Sequence, residues 1–221
     1  MSHSKSPLIV LPGTALAAAV LAAVLAGCGG SASPAAAGGG AKTTAPAPAG
    51  GTGQSAATQA PVPVESNPPG DIPDTTVYVP YRSPAGHVAL KVPEGWSRTS
   101  SSASSTFTSN LNSITMAWMP MAGAPTVGAA RATTVHALQA HTLAFRLQAV
   151  RAVSLAGGPA VEVIYQVNST PNPVTGRQYR LVIERFEFYR QGRGAVLSLS
   201  SAVGSDNVDP WRIVSESFRW A

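Results

Sequence analysis

Cys28 is the only cysteine in a chain of 221 residues, and it stands directly after Leu25-Ala26-Gly27. Small residues before a lone thiol offer a compact backbone at which a peptidase can cut, between Gly27 and Cys28, and a sulfur that can be alkylated. With that thiol used, none remains for a nucleophile, a metal ligand or a disulfide. The histidines beyond the first few residues are His87, His136 and His141. His136 and His141 are five apart, about 140° around a helix, so they cannot share a metal as i, i+4 residues do. The chain has no Gly-x-Ser-x-Gly elbow, no phosphate-binding Gly-rich loop and no His-Glu-x-x-His. Asp206-Asn207-Val208-Asp209 could suggest calcium, which takes six or more oxygens, but helix capping is the simpler reading. The expectation is a chain that is not an enzyme and carries no metal and no cofactor.

Two clusters point instead to recognition. Met116-Ala117-Trp118-Met119-Pro120-Met121 gathers three thioethers round an indole at a strand end; such surfaces adapt to varied partners, and methionine equally fills core gaps. Arg177, Arg180, Arg185, Arg190 and Arg193, with Glu184 and Glu187 among them, run along one hairpin arm. They could bind phosphate or acidic lipid, or form cross-strand ion pairs on a solvated face. Met116, Trp118, Met119, Met121, Arg177 and Arg180 are therefore the candidate partner or ligand surface. Asn168-Ser169-Thr170 matches a glycosylation sequon and reads more simply as the end of a strand.

The elements that precede this surface are read from composition. Lys5 followed by an uncharged Ala/Leu-rich run from Leu8 to Gly27 has the pattern of a secretory signal peptide over residues 1–27. Pro12 and Gly13 interrupt the run and leave an apolar helix too short to span a bilayer. The closing motif resembles the bacterial lipobox, so Cys28 is expected to carry the lipid and anchor the chain in the cell membrane on its extracytoplasmic face. Two acyl chains make such anchoring stable where one is marginal. Residues 29–72 are almost wholly Gly, Ala, Ser, Thr, Pro and Gln and are expected to form a disordered tether, because such a segment cannot bury enough surface to offset its conformational entropy.

Residues 73–221 are long enough for one domain with a sizeable core. Charged residues make up 11% of the chain and the formal net charge is +5. Export argues against nucleic acid as the partner of that basic excess. The segments 76–81 and 87–92 read as a hairpin turning at Ser83-Pro84-Ala85-Gly86, and 105–108 and 113–119 as two further strands. Val135, Leu138, Thr142 and Phe145 fall at i, i+3, i+7 and i+10, so the spacing predicts one main helix within 124–148. Segments 150–155, 160–167, 179–189 and 195–201 read as strands. The third of these shows Leu181 and Ile183 on one face and Val182, Phe186 and Phe188 on the other, as in a central strand covered on both sides. Asp209 as N-cap and Pro210 open a short last helix. The fold class is α+β, an antiparallel sheet with helical cover.

Val92-Pro93-Glu94-Gly95-Trp96, the single middle helix, Ala156-Gly157-Gly158-Pro159-Ala160, and the closing Ile213-Val214-Ser215-Glu216-Ser217-Phe218-Arg219 together resemble the PsbP/Mog1 superfamily. More narrowly, they resemble actinobacterial lipoproteins of the LpqN type. The resemblance covers about residues 76–220 and implies a central antiparallel sheet of about six strands flanked by helices, an α/β/α sandwich. It also implies docking to other macromolecules and no particular reaction. The functional expectation is a membrane-tethered, non-catalytic accessory module that binds an envelope protein. The alternative is a carrier or sensor of an apolar envelope lipid or small molecule, which would need a cavity lined by such residues as Trp118 and Phe186.

Overall fold

The computed structural model describes residues 59–83, 85 and 87–221. The signal segment, the Gly27–Cys28 cleavage point and the tether up to residue 58 lie outside the described residues, as do Pro84 and Gly86 of the first turn. Among the described residues no helix is long and apolar enough to cross a membrane.

Among the described residues ten strands form two sheets in which every pairing is antiparallel. The smaller sheet consists of β1 (Tyr78–Ser83), β2 (Val88–Pro93) and β10 (Arg219–Trp220), in the order β1-β2-β10. The larger contains β3 (Ser97–Ser100), β4 (Ser104–Ser109), β5 (Asn112–Pro120), β6 (Arg146–Leu155), β7 (Gly158–Asn168), β8 (Arg180–Arg190) and β9 (Arg193–Ala202), in the order β3-β4-β5-β9-β8-β7-β6. The class is the expected antiparallel α+β. The large sheet has seven strands where about six were expected, and the first hairpin leaves it to make a sheet of its own. β3 was not legible because Ser97-Arg98-Thr99-Ser100 carries no apolar residue and is exposed throughout.

One face of the large sheet is closed by the small sheet and by helix α2 (Val208–Ser217). Val88, Leu90 and Val92 of β2 and Trp211, Val214 and Phe218 at the last helix meet Ile114, Met116, Leu197, Leu199, Phe186 and Phe188 in one core. Phe188 and Phe218 stack at 4.1 Å, and Trp96 meets Trp211 edge to face at 6.4 Å. Gly157 makes this closure feasible: a Cβ there would lie 2.3 Å from the Phe218 ring. Trp96 and Trp220 seal the margin and are only half-buried, whereas Trp211 and Phe218 sit inside.

The other face is covered over β6, β7 and β8 by helix α1, which is α-helical at Val127–Ala129, π-helical over Ala130–Val135 and α-helical again at His136–His141. Ala130, Val135 and Leu138 pack on Val150, Val161, Val163, Tyr165 and Ile183. The expected stripe ends early. Thr142 leaves the helix in an extended conformation and its hydroxyl donates to the Leu138 carbonyl at 2.6 Å. Phe145 reaches the same cluster from the chain leading into β6, against Tyr165 at 5.5 Å. A helical period and a helix-turn-strand path thus deliver the same residues to one core, which is why the spacing misled. A charged network lies under α1: Thr134 and Arg185 both donate to Glu187 Oε1 at 2.9 Å, and Glu187 is buried.

The tether boundary also moves. The chain from Gln59 to Ile72, expected to be free, lies as a strap across one end of the large sheet, where β7 ends, β8 begins, β9 ends and β5 begins. Val62 N donates to Asn168 Oδ1 at 3.0 Å and Glu65 pairs with Arg177. The Gly70 carbonyl accepts from Asn112 Nδ2 at 2.7 Å and Asn207 Nδ2 at 2.9 Å, and Ile72, 5% exposed, joins the core. Asn207, not Asp209, stands at the N-terminus of α2. It makes no side-chain cap, because its Oδ1 accepts from Ile72 N at 2.8 Å. Asp209 lies in the first turn, paired with Arg212.

Candidate functional site

The methionines do not share a surface. Successive residues of β5 alternate between faces, so Met116 is fully buried in the core while Met119, 40% exposed, lies on the opposite side. Met121 follows the strand and fills the space above Gly194, where a Cβ would come within 2.7 Å of its Cε. Core packing accounts for Met116 and strand-end packing for Met121. Trp118 alone lines an open cleft, of about 260 Å³, between β1 and strands β3 to β5.

That cleft is built from residues the sequence did not mark. Tyr81 of β1 turns its ring edge to Phe107 at 4.9 Å, and its hydroxyl lies 2.9 Å from Ser105 Oγ. Ser105 Oγ is in turn 3.1 Å from Ser100 Oγ. The Trp118 indole N–H donates to the Ser102 carbonyl at 2.8 Å, which fixes the ring as one wall. The Arg98 guanidinium sits 5.6 Å from the Tyr81 ring centroid, a cation–π distance. Aromatic walls, several hydroxyls and one cation suit recognition of a polar group. The lining includes no carboxylate and no imidazole. The serine run 97–105 was unreadable because hydroxyl side chains give neither an apolar alternation nor a charge pattern.

The arginines are also dispersed. β8 puts Arg180 and Glu184 on the face of the small sheet and Arg185 and Glu187 under α1. Arg177 is exposed, pairs with Glu65 of the strap and stacks on Tyr179 at 4.8 Å; the carboxylate holds its guanidinium more firmly charged. Arg180 is buried, at 4% exposure, and donates only to neutral oxygens. Burial, and then the nearby Arg146, push its pKa down. On the same face Glu162 is buried and pairs with Arg151, and Glu184 beside it is pushed up, first by burial and then by the Glu162 charge.

His87, His136 and His141 are exposed. Among the described residues no three His, Cys, Asp or Glu side chains are placed to hold a metal. Phe186, 4% exposed, packs in the core against Phe188 and does not line the Trp118 cleft.

No family model matches the sequence, and no curated protein matches it. Solved structures do resemble the fold. The Ran-binding protein Mog1p of Saccharomyces cerevisiae aligns over 66% of this chain and 96% of its own, with 9% identity and a TM-score of 0.47. The cyanobacterial PsbP of Synechocystis aligns over 70% of this chain and 100% of its own, with 16% identity and a TM-score of 0.46. LpqN of Mycobacterium tuberculosis, involved in cell envelope biogenesis, aligns over 66% and 91%, with 15% identity and a TM-score of 0.43. These are the groups the sequence resembles. All three TM-scores lie below one half, and nothing about partners or activity follows from them.

Proposed function

We propose that the chain is a lipid-anchored lipoprotein on the extracytoplasmic face of the cell membrane, acting as a non-catalytic interaction module for an envelope partner. The observation that carries the binding role is the Trp118 cleft, whose aromatic, hydroxyl and guanidinium groups suit recognition of a polar group on a partner. The anchor rests on Leu25-Ala26-Gly27-Cys28 behind an apolar, uncharged run. The strap supports a tethered arrangement, because it fastens the chain to the sheet end at Gln59 and leaves only 30 residues between Cys28 and that point.

The binding role is tested by placing a photo-crosslinking residue at Ser101 in intact cells, with one at Thr170 as control. One defined adduct from Ser101, lost in Trp118→Ala and absent from Thr170, is expected; equal labelling from both positions would refute the cleft as the docking surface. The anchor is tested separately. Cys28→Ser is expected to leave a heavier, unprocessed chain outside the detergent-extracted lipoprotein fraction, and unchanged mass and fractionation would remove the lipid anchor.

A further inference from the structure

Arg180 is a charge taken out of water with no opposite charge to meet it. Buried guanidinium groups are ordinarily paired, because the desolvation of an isolated ion is not recovered from neutral contacts. Here the acceptors are the Ala144 carbonyl at 2.7 Å, Asn168 Oδ1 at 3.1 Å and Gln166 Oε1 at 3.4 Å, all neutral, and Nη2 has no partner. A second guanidinium stands beside it: Arg146, opposite Gln166 in the β6–β7 register, is exposed and makes no ion pair among the described residues. The backbone is bent to serve the same spot. Ala144, 7% exposed, adopts φ 49°, a left-handed conformation that alanine rarely takes, and its carbonyl meets Arg180.

We propose that Arg180, Arg146 and Asn168 form a binding site for a phosphate group, and that the Gln59–Val62 end of the strap closes it. A guanidinium fork matches the oxygens of a phosphate, and two forks from the strands on either side of β7 need a ligand with more oxygens than one neutral amide supplies. The strap occupies what the ligand would use. Val62 N and Arg180 Nη1 share Asn168 Oδ1, and Asn168 Nδ2 donates to Gln59 Oε1 at 3.1 Å and to the Ala60 carbonyl at 2.8 Å. Glu65, further along the strap, neutralises Arg177 in the same region. Phosphate binding and strap release are therefore linked: whatever lifts the strap raises the affinity, and the ligand in turn favours the lifted strap.

The experiment uses the full chain in neutral-detergent micelles, titrated calorimetrically at constant ionic strength against chloride as control. Two probes separate the sources of the phosphate: inorganic phosphate, and glycerophosphoglycerol, the deacylated headgroup of an anionic lipid. Gln59→Ala with Val62→Pro removes two of the strap's three hydrogen bonds to Asn168, leaving only the one to the Ala60 carbonyl, and is expected to tighten phosphate binding by about tenfold over the native chain. Adding Arg180→Gln to that variant is expected to reverse the gain. Arg146→Gln, at an exposed position, makes the same test where Arg180→Gln costs the fold. Response to both probes assigns the site to a lipid headgroup, and response to inorganic phosphate alone assigns it to the free ion. Equal affinity before and after strap release, no response to either probe, or a gain that survives Arg146→Gln would overturn the proposal.

Discussion

The two faces of the seven-stranded sheet are closed in different ways. The face under β1, β2, β10 and α2 is covered by elements drawn from both ends of the chain, and its core holds Phe186, Phe188, Phe218 and Trp211 in ring contact or beside one another. The face under α1 is covered only over β6, β7 and β8 by a short helix whose middle six residues are π-helical, and its core is built mainly of valines. Across β4, β5 and β9 the same face carries Thr106, Thr115 and Ser198 in one cross-strand row. Stability is thus concentrated on the first face. The open Trp118 cleft lies at the margin of that same first face, beside β1.

The sharpest break of that asymmetry is Phe188→Ala. The ring is fully buried and stacked on Phe218, and truncating such a residue costs about 3 to 5 kcal/mol, a large share of the roughly 5 to 15 kcal/mol that hold a domain of this size. Urea denaturation followed by tryptophan fluorescence should show a midpoint far below the native one. Next in size is removal of the strap. A chain beginning at Pro73 loses the Ile72 side chain and leaves Asn112 and Asn207, both buried, without the Gly70 carbonyl and the Ile72 amide. Unsatisfied buried polar groups cost about 1 to 3 kcal/mol each, so a loss of about 2 to 4 kcal/mol is expected. A chain starting at Pro73 as stable as one starting at Gln59 would make the strap mere decoration. On the second face, Leu138→Ala removes a half-buried side chain of α1 and should cost only about 1 to 2 kcal/mol. A loss equal to that of Phe188→Ala would erase the asymmetry.

The sequence revealed what depends on alternation and on turn chemistry. Phe186 and Phe188 opposite Ile183 in β8 follow from period two. Turn chemistry in Gln191-Gly192-Arg193-Gly194 marks the β8–β9 hairpin, although the turn itself is only Gln191-Gly192, with φ values of 49° and 80°, and Arg193 and Gly194 belong to β9. It concealed what depends on contacts between distant segments. Gln59 to Ile72 looks like linker because Pro, Gly and Gln offer no pattern, yet its backbone groups are taken up by Asn112, Asn168 and Asn207, up to 137 positions away. Arg180 looked like one of five surface arginines; only the fold shows that it is buried and lacks a carboxylate. The Trp118 indole was legible as a candidate, but the hydroxyls that complete its cleft belong to a serine run with no periodic signal.

The smallest predicted effect concerns the margin of the first face and is read through pH. Glu184 lies on β8 beside Glu162, whose own carboxylate is taken by Arg151. Burial, and then the Glu162 charge, raise the pKa of Glu184, and Arg151 offsets only part of this. A raised acid pKa means that the folded chain binds the proton more tightly than the unfolded one, for which about 4.3 is usual. Folding is therefore opposed wherever the unfolded carboxyl is ionised and the folded one must ionise too. That cost is absent below the ordinary carboxylate value, grows as pH rises through the interval up to the raised value, and is constant above it. Glu184→Gln, which keeps the shape and removes the charge, should be slightly more stable than the native chain at pH 7, and the difference should vanish by about pH 4. Urea midpoints of the two chains measured across that range decide it. Parallel curves would mean that Glu184 is solvated, and that the first face is open at β8 where the comparison of the two faces has it closed.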